Sequence, residues 1–478
     1  MKKTVVSILL AIVAALPLMA FTPQEAVNKF VSNSSLRYAS LGVQVIDLDS
    51  AKSIASYRPE QANITASTMK TVVSSAALGL LGPHFRFETP VYLDGELKDG
   101  HFKGNIVIRG LGDPTIGSVF LPCQANIVQE IIDALQALGI RKVEGTVIGD
   151  DSYYSFPYFD EDWDAGDLAY DYGAAVHALN FHDNLMTVNY SLDSRGRLAH
   201  SSITPPVPGV KVISRCRANR GRNSITPYLD YSVPALVLTG ESGAKSYKNT
   251  YANPTPAPML VDSVERALKA SGIRYDRDVD ARDNAHHAER SLLVIHKSPE
   301  LTEIITSLLD RSDNMFAHAL LRAIGARDWE LKGYDALPSD LDVVGVAAVK
   351  NWLELQGIDT EPLFMRDGSG LARANKASVN FFGDMLSMMA HRTFDGVRLC
   401  DLMPKAAGRA GKTLKANPLS DLIVLKSGSM RHVQCFVGYY PADEPRYAFA
   451  VLANNFTCSQ AGIREQIGVF LCDLFGEL

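Results

Sequence analysis

At the head of the apolar run "TVVSSAALGLLG" stand Ser67-Thr68-Met69-Lys70, a hydroxyl and an amine three residues apart. On a helix, positions i and i+3 share a face, so the lysine amine can reach the serine oxygen. A serine turns nucleophilic when a neighbouring base takes its proton, and a lysine is that base only if burial or a nearby cation lowers its pKa. The bland alternative is a helix cap followed by a solvated lysine. Chance alone places about one or two Ser-x-x-Lys spacings in a chain of this length. Ser242 and Lys245 in "SGAK" repeat the spacing in a Gly-rich loop with no apolar helix behind it. That second pair reads as a decoy.

Two further short patterns follow in order, Ser312-Asp313-Asn314 and Lys426-Ser427-Gly428. The first lies between two helical stretches, in a turn that can present Ser312 and Asn314 to a cleft. The second ends the run "DLIVL", which reads as a strand; alternation sends Lys426 and Gly428 to one face, and the backbone can pair with an extended peptide. Gly428 is expected to leave room for a ligand, and Lys426 to be the cation that lowers the pKa of Lys70. A helix opening at Ser67 also favours an anion there, through free N–H groups and the dipole. Ser378 and Asn380 form another Ser-x-Asn, with Ser378 as the N-cap of "NFFGDMLSMMAHR".

The elements that must position these groups lie at both ends of the chain. Residues 41–60 read as two strands around a turn at Asp49–Ser50, and the helix after Ser67 carries Val72, Val73, Ala76, Ala77 and Leu80 at helical spacing. From about residue 84 to 290, short strands such as "FKGNIVIRG", "VEGTVIGDD" and "ALVLTGE" alternate with Gly/Pro loops, with one helix, "NIVQEIIDALQALGI". Long helical patterns then return, and the chain ends strand, strand, strand, helix. The expected fold is α/β (α+β): an antiparallel sheet flanked by helices, built from residues 21–83 plus 291–478. Residues 84–290 are a large, mainly β insertion, expected as two nested domains.

Composition agrees with a globular protein: 478 residues, 46% apolar, 21% charged, net charge −6 and no basic block, which argues against nucleic acid as a partner. Residues 1–20 have two lysines, an apolar stretch and small residues near Ala20, the order of a secretory signal. An uncleaved anchor is the alternative, since the run approaches spanning length. Cleavage is favoured by Pro17 and Ala20, so export without a stable membrane span, to the periplasm in a bacterial setting, is expected. The six cysteines, Cys123, Cys216, Cys400, Cys435, Cys458 and Cys472, permit disulfides in an oxidising compartment; small buried apolar side chains are the other reading.

The three patterns in order, with "RDGSGLARAN" (366–375), "RGLGDPTIGS" (109–118) and the long gap between the first two, resemble the serine penicillin-recognising enzymes. Within them the chain is most similar to the penicillin-binding protein 4 type, class C D-alanyl-D-alanine carboxypeptidase/endopeptidases. The resemblance implies a penicillin-recognising transpeptidase/β-lactamase-like domain, peptidoglycan stem peptides as substrates, and β-lactams as covalent inhibitors. It requires no cofactor. It implies that Ser67 attacks the penultimate D-alanine carbonyl with Lys70 as base, that Ser312 and Lys426 relay the proton to the leaving amine, and that Asn314 holds the substrate backbone. The N–H groups of Ser67 and Ser429 would form an oxyanion hole, and Lys426, Ser427 and Ser429 would bind the terminal carboxylate. The family has threonine where Ser427 stands, which keeps the hydroxyl. Asp167, Tyr172 and Arg373 would bind the diamino-acid side chain of the stem peptide. Arg431 replaces a glutamine of the matched pattern and adds a cation at the pocket mouth.

A metal is not expected. "DEDWDAGDLAYD" (160–171) spaces acidic residues like a calcium loop, but Ala165 stands where glycine is needed. His177, His182, His286 and His287 lack zinc-enzyme spacing, and "GLGDPTIGS" lacks a phosphate-loop ending, reading as a turn near the cleft. Two alternatives to the DD-peptidase remain: a β-lactamase, which needs a deacylating glutamate loop that is absent from the sequence after the second motif, and a penicillin-binding sensor that does not turn over.

Overall fold

The structure is a computed structural model; it describes residues 22–121, 125–219, 223–277, 290–334, 337–408 and 418–476. The expected signal at 1–20, Cys123, His286 and His287 lie outside the described residues.

A five-stranded antiparallel sheet organises both ends of the chain. Its order is Val424–Met430, Val433–Tyr440, Tyr447–Asn454, Ser40–Asp47, Lys52–Tyr57. The N-terminal strand pairs with the late one from Ser40↔Asn454 to Asp47↔Tyr447, which closes the fold over most of its length. Every residue of "YAFAVLAN" is buried, because helices cover both faces. Phe449, Val451 and Ala453 pack with Ala26, Val27 and Phe30 of the Pro23–Val31 helix and with Phe470 and Leu474 of the C-terminal helix. Ala448, Ala450 and Leu452 point the other way, into the larger core under the helices Met69–Leu80, Leu301–Arg311, Asn314–Leu331 and Val379–Ala390.

The Met69–Leu80 helix is buried from Met69 to Leu78, Lys70 included. Its polar face, Lys70, Thr71, Ser74 and Ser75, is buried along with its apolar one, so the helix runs through the interior. Gly79 is the contact point with Trp352: a Cβ there would come within 2.3 Å of the indole. Thr22 and Ser378 cap their helices, Ser378 Oγ accepting from Phe381 N at 3.1 Å as its position predicts.

The intervening chain supplies three more sheets. One has the order Arg274–Arg277, Lys142–Gly145, His101–Arg109, Glu88–Lys98, Ser291–Lys297, with Val147–Asp150 also paired to His101–Arg109. The helices Ile127–Ala137 and Pro256–Ala270 pack on it. The latter went unread in the sequence, although Pro256 at its first turn is a start signal. Two three-stranded sheets follow, Ser246–Ala252/Leu185–Leu192/Leu198–Thr204 and Lys211–Ala218/Ala235–Ser242/Asn223–Asp230. They share an apolar cluster of Val188, Tyr190, Leu236 and Leu238. Ser291–Lys297 pairs with Glu88–Lys98, so this stretch, expected with the flanking unit from residue 291, is an edge strand of the insertion's own sheet. Five described cysteines are unpaired, with Cys216, Cys400 and Cys435 buried. Among the described residues no helix is long and apolar enough to cross a membrane.

Candidate active site

Ser67 sits in a single 3-10 turn, Ala66–Thr68, that runs into the Met69–Leu80 helix. Its hydroxyl caps nothing; Thr65 and Thr68 make no side-chain cap either. The cap reading therefore fails, and Lys70 is not solvated. Its Nζ lies 3.0 Å from Ser67 Oγ, 2.5 Å from Asn314 Oδ1 and 2.6 Å from the carbonyl oxygen of Ser369. Burial lowers its pKa to about 7, against the pull of the Asp367 and Asp313 carboxylates.

Ser312 ends the Leu301–Arg311 helix in the left-handed region, φ 60°, and Asp313 starts the next helix by accepting from Phe316 N at 3.0 Å. This abrupt change of direction aims Ser312 and Asn314 at the same space. A left-handed non-glycine residue costs about 1–3 kcal/mol and persists where the surroundings enforce it. Lys426, wholly buried, donates to Ser312 Oγ at 2.9 Å and to the carbonyl of Ser427 at 2.8 Å. Burial and the charge of Lys70 both push the Lys426 amine well below the ordinary lysine range. Burial is the largest cause of the shift at both amines, and the repulsion between them is mutual, each favouring the neutral form of the other.

Three groups distant in sequence are gathered at one place, and the decoy is not. Ser242 Oγ is engaged with Tyr247 Oη at 2.6 Å and with the Ala244 carbonyl. Lys426, Ser427, Gly428 and Ser429 lie on Val424–Met430, the outer strand of the five-stranded sheet. Its first residues are covered, Leu425 N donating to the Pro404 carbonyl. Gly428 differs from expectation: a Cβ there would lie 2.7 Å from the Thr65 oxygen and 2.9 Å from Ser67 N. The space is filled by the protein's own turn, so the glycine sets how closely the strand approaches the serine rather than admitting a ligand.

Asn314 is also more occupied than expected. Its Oδ1 receives Lys70 and its Nδ2 donates to the Tyr172 carbonyl at 2.7 Å. Tyr172 Oη in turn donates to Asp167 Oδ1 at 2.8 Å, and Tyr170 stacks on the Tyr172 ring. Leu168 and Ala372 share an apolar cluster with Trp163, so the segments that carry Asp167 and Arg373 pack against each other. Arg373 is exposed. Arg431 is exposed in the two-residue loop between the strands Val424–Met430 and Val433–Tyr440. Asp160, Glu161 and Asp162 face the Arg366 guanidinium at 3.7, 3.0 and 2.8 Å, which gives the acidic loop a cation of its own.

A model of the D-Ala-D-Ala carboxypeptidase 3 (S13) family matches residues 23–473. The chain belongs to that family. It is 24% identical over 477 residues to a D-alanyl-D-alanine carboxypeptidase of Actinomadura sp. (strain R39), covering 95% of this chain and 85% of the relative. It is 24% identical over 434 residues to a D-alanyl-D-alanine carboxypeptidase of Haemophilus influenzae, covering 88% and 86%. The fold is similar to the crystal structure of penicillin binding protein 4 from Haemophilus influenzae, TM-score 0.77 at 22% identity, covering 94% and 98% of the two chains. The antiparallel sheets, flanking helices and extra β sheets of this S13 peptidase agree with that likeness.

The cluster around Lys70 rests on a carboxylate that the sequence reading did not single out. Asp367 accepts from Trp163 Nε1 at 2.8 Å, from Ser369 N and Oγ at 2.6 and 2.8 Å, from Gly370 N at 2.6 Å, from Ala372 N at 2.8 Å and from Asn375 Nδ2 at 3.2 Å. Burial works to raise its pKa, but His318 and these donors hold it below the usual carboxylate range. The turn so formed offers the Ser369 carbonyl to Lys70. An Asp followed by Gly-Ser-Gly is a turn signal, but nothing in the sequence says which amine the turn would face.

Proposed function

We propose that the chain is an exported serine DD-peptidase that cleaves D-Ala-D-Ala termini and D-Ala–diamino-acid cross-links of peptidoglycan through an acyl-enzyme on Ser67. The observation that carries the proposal is the buried Lys70 amine 3.0 Å from the Ser67 hydroxyl. A neutral lysine has two N–H donors and one lone pair. Asn314 Oδ1 and the Ser369 carbonyl take the two donors, and the lone pair is left for the hydroxyl proton of Ser67.

In the proposed reaction, Ser67 Oγ attacks the penultimate D-alanine carbonyl carbon while Lys70 takes its proton. Charge develops on the carbonyl oxygen near the backbone N–H groups of Ser67 and Ser429, an interaction worth about 3–4 kcal/mol in such sites. The C–N bond then breaks as the leaving nitrogen receives a proton through Ser312, which Lys426 orients. Water hydrolyses the resulting ester and restores Ser67. The outer strand would offer Ser427 and Ser429 to the terminal carboxylate; Asp167, Tyr172 and Arg373, from the inserted region and the loop after Asp367, would meet the diamino acid, with Tyr172 linked to the reacting centre by Asn314. Penicillins would acylate Ser67 in the same way; one of the structural relatives in Haemophilus influenzae is a complex with a β-lactam. The apolar N-terminal segment with its two lysines supports export to the periplasm.

Incubation with a muropeptide mixture tests the proposal. Release of D-alanine and cleavage of D-Ala–diamino-acid links are expected, together with covalent penicillin labelling of the peptide containing Ser67. Fast penicillin hydrolysis without peptide cleavage would indicate a β-lactamase, and stable labelling without turnover a sensor.

A further inference from the structure

The two acceptors that take the Lys70 N–H donors, Asn314 Oδ1 and the Ser369 carbonyl, are themselves held by one stretch of chain. That stretch is residues 160–172, between the strands Val147–Asp150 and Leu185–Leu192. At its far end the Tyr172 carbonyl accepts from Asn314 Nδ2 at 2.7 Å. An amide carries donor and acceptor on separate arms, so this bond fixes which arm faces Lys70. Near its start, Trp163 Nε1 donates to Asp367 Oδ2 at 2.8 Å, while Asp367 Oδ1 accepts from Ser369 N and Gly370 N at 2.6 Å each. Those two N–H groups flank the Ser369 carbonyl, which is thereby tied to the indole through one carboxylate.

The indole is built into its place. Trp163 is 5% exposed, packs with Leu168 and Ala372, and lies tilted against the His318 ring at 5.4 Å. Its N–H is the side chain's one polar group, and it is directed at an ionised carboxylate, which makes a strong hydrogen bond. The neighbouring residue carries a second tie: Arg366 meets Glu161 at 3.0 Å and Asp162 at 2.8 Å. Adjacent residues of the turn, Arg366 and Asp367, are thus both gripped by residues 161–163. Displacing a reacting group by about 1 Å costs about a hundredfold in rate, so a grip on the acceptors of the base bears on the chemistry.

We propose that Trp163 is a positioning residue of the reaction: through Asp367 and the Ser369 carbonyl it sets where the Lys70 amine stands against Ser67, with Arg366 clamping the same turn. The role rests on Lys70 as the base of Ser67 and deepens that reading. It makes residues 160–172 part of what orients the base, in addition to the diamino-acid contacts that Asp167 and Tyr172 would supply. The two roles differ in reach. A residue that lines a pocket acts on the ligand that touches it, whereas one that positions the base acts on every acyl donor, including those with no diamino acid.

Acylation by benzylpenicillin and turnover of an acyl-D-Ala-D-Ala peptide that lacks a diamino acid test it, each resolved into a saturating rate and a half-saturating concentration. Trp163→Phe removes the N–H and keeps an aromatic ring. It should lower the saturating rate by about tenfold on both substrates, with half-saturation little changed. The fraction of chains that penicillin finally labels should stay that of the wild type. Arg366→Gln should lower the same rate by about threefold. In an Asp367→Asn background, Trp163→Phe should cost far less than tenfold, because residues acting along one path are not additive. Unchanged saturating rates, a loss seen only as fewer labelled chains, or losses that multiply in full in the double variant would overturn the positioning role alone. Should Trp163→Phe not fold, Arg366→Gln decides, and an unchanged rate there overturns the role. Absence of penicillin labelling at Ser67 in the wild type would overturn the reading of the Ser67–Lys70 pair, and the role of Trp163 with it.

Discussion

Lys70 Nζ donates to the backbone carbonyl of Ser369 at 2.6 Å, across 299 positions of sequence. The contact ties the turn after Asp367 to the Ser67–Lys70 pair.

The base form of Lys70 is the neutral amine, and burial places its pKa at about 7. Penicillin acylation should therefore rise as pH increases through about 7 and level off above it. The linked effect on stability has a definite sign. Between about 7 and the ordinary lysine value near 10.4 the unfolded chain binds one more proton, so this group's contribution to stability rises with pH across that window. Urea titrations of wild type and Lys70→Met at pH 6.5 and 9.5 check it; the variant should show the larger advantage at pH 6.5. Acylation that is flat from pH 5.5 to 8.5 would remove Lys70 as the base.

Ser67→Ala should abolish covalent labelling by a fluorescent penicillin, and Ser242→Ala should leave it intact. The two serines have the same spacing to a lysine and differ only in surroundings. Mass spectrometry of the adduct identifies the labelled peptide, and labelling that survives Ser67→Ala would refute the nucleophile.

Asp367→Ala should destabilise the protein by about 3 kcal/mol, because it strands several buried donors that now share one carboxylate. It should also slow acylation, since the Ser369 carbonyl would no longer be held against Lys70. Asp367→Asn should lose less stability. The midpoint of urea unfolding and the labelling rate measure the two effects separately.

Gly370 has φ +80°, and a Cβ there would come within 1.9 Å of the Ala66 oxygen. Gly370→Ala should push the turn bearing Ser67 out of place and cost at least tenfold in acylation rate, about 1.4 kcal/mol of barrier. Gly272, also at positive φ but with nothing within 4 Å, is the control: Gly272→Ala should leave acylation unchanged.

Arg373→Ala should weaken cleavage of peptides containing the diamino acid more than it weakens penicillin acylation. Tyr172→Phe, which removes the hydrogen bond to Asp167, should act in the same direction by a smaller factor. Equal losses on both substrates would remove these residues from the specificity pocket.

The linear sequence supplied the candidates Ser67, Lys70, Ser312, Asn314 and Lys426, but not Asp367 or the Ser369 carbonyl that it holds against Lys70. The Ser67–Lys70 spacing on a helix, the Ser312-Asp313-Asn314 turn between helices and the Lys426 strand were all legible, because helical and strand periodicity are local properties. Local chemistry also separated Ser67 from Ser242 through the apolar helix behind only one of them. What only tertiary structure decided were relations between distant backbones and the degree of burial. Gly428 faces the protein's own turn, Asn314 is claimed by Lys70 and Tyr172, burial is the main cause that lowers the Lys70 pKa, and Ser291–Lys297 joins the insertion's sheet. Each depends on which surfaces meet when several elements pack at once, and no periodicity within one segment encodes the segment it will face.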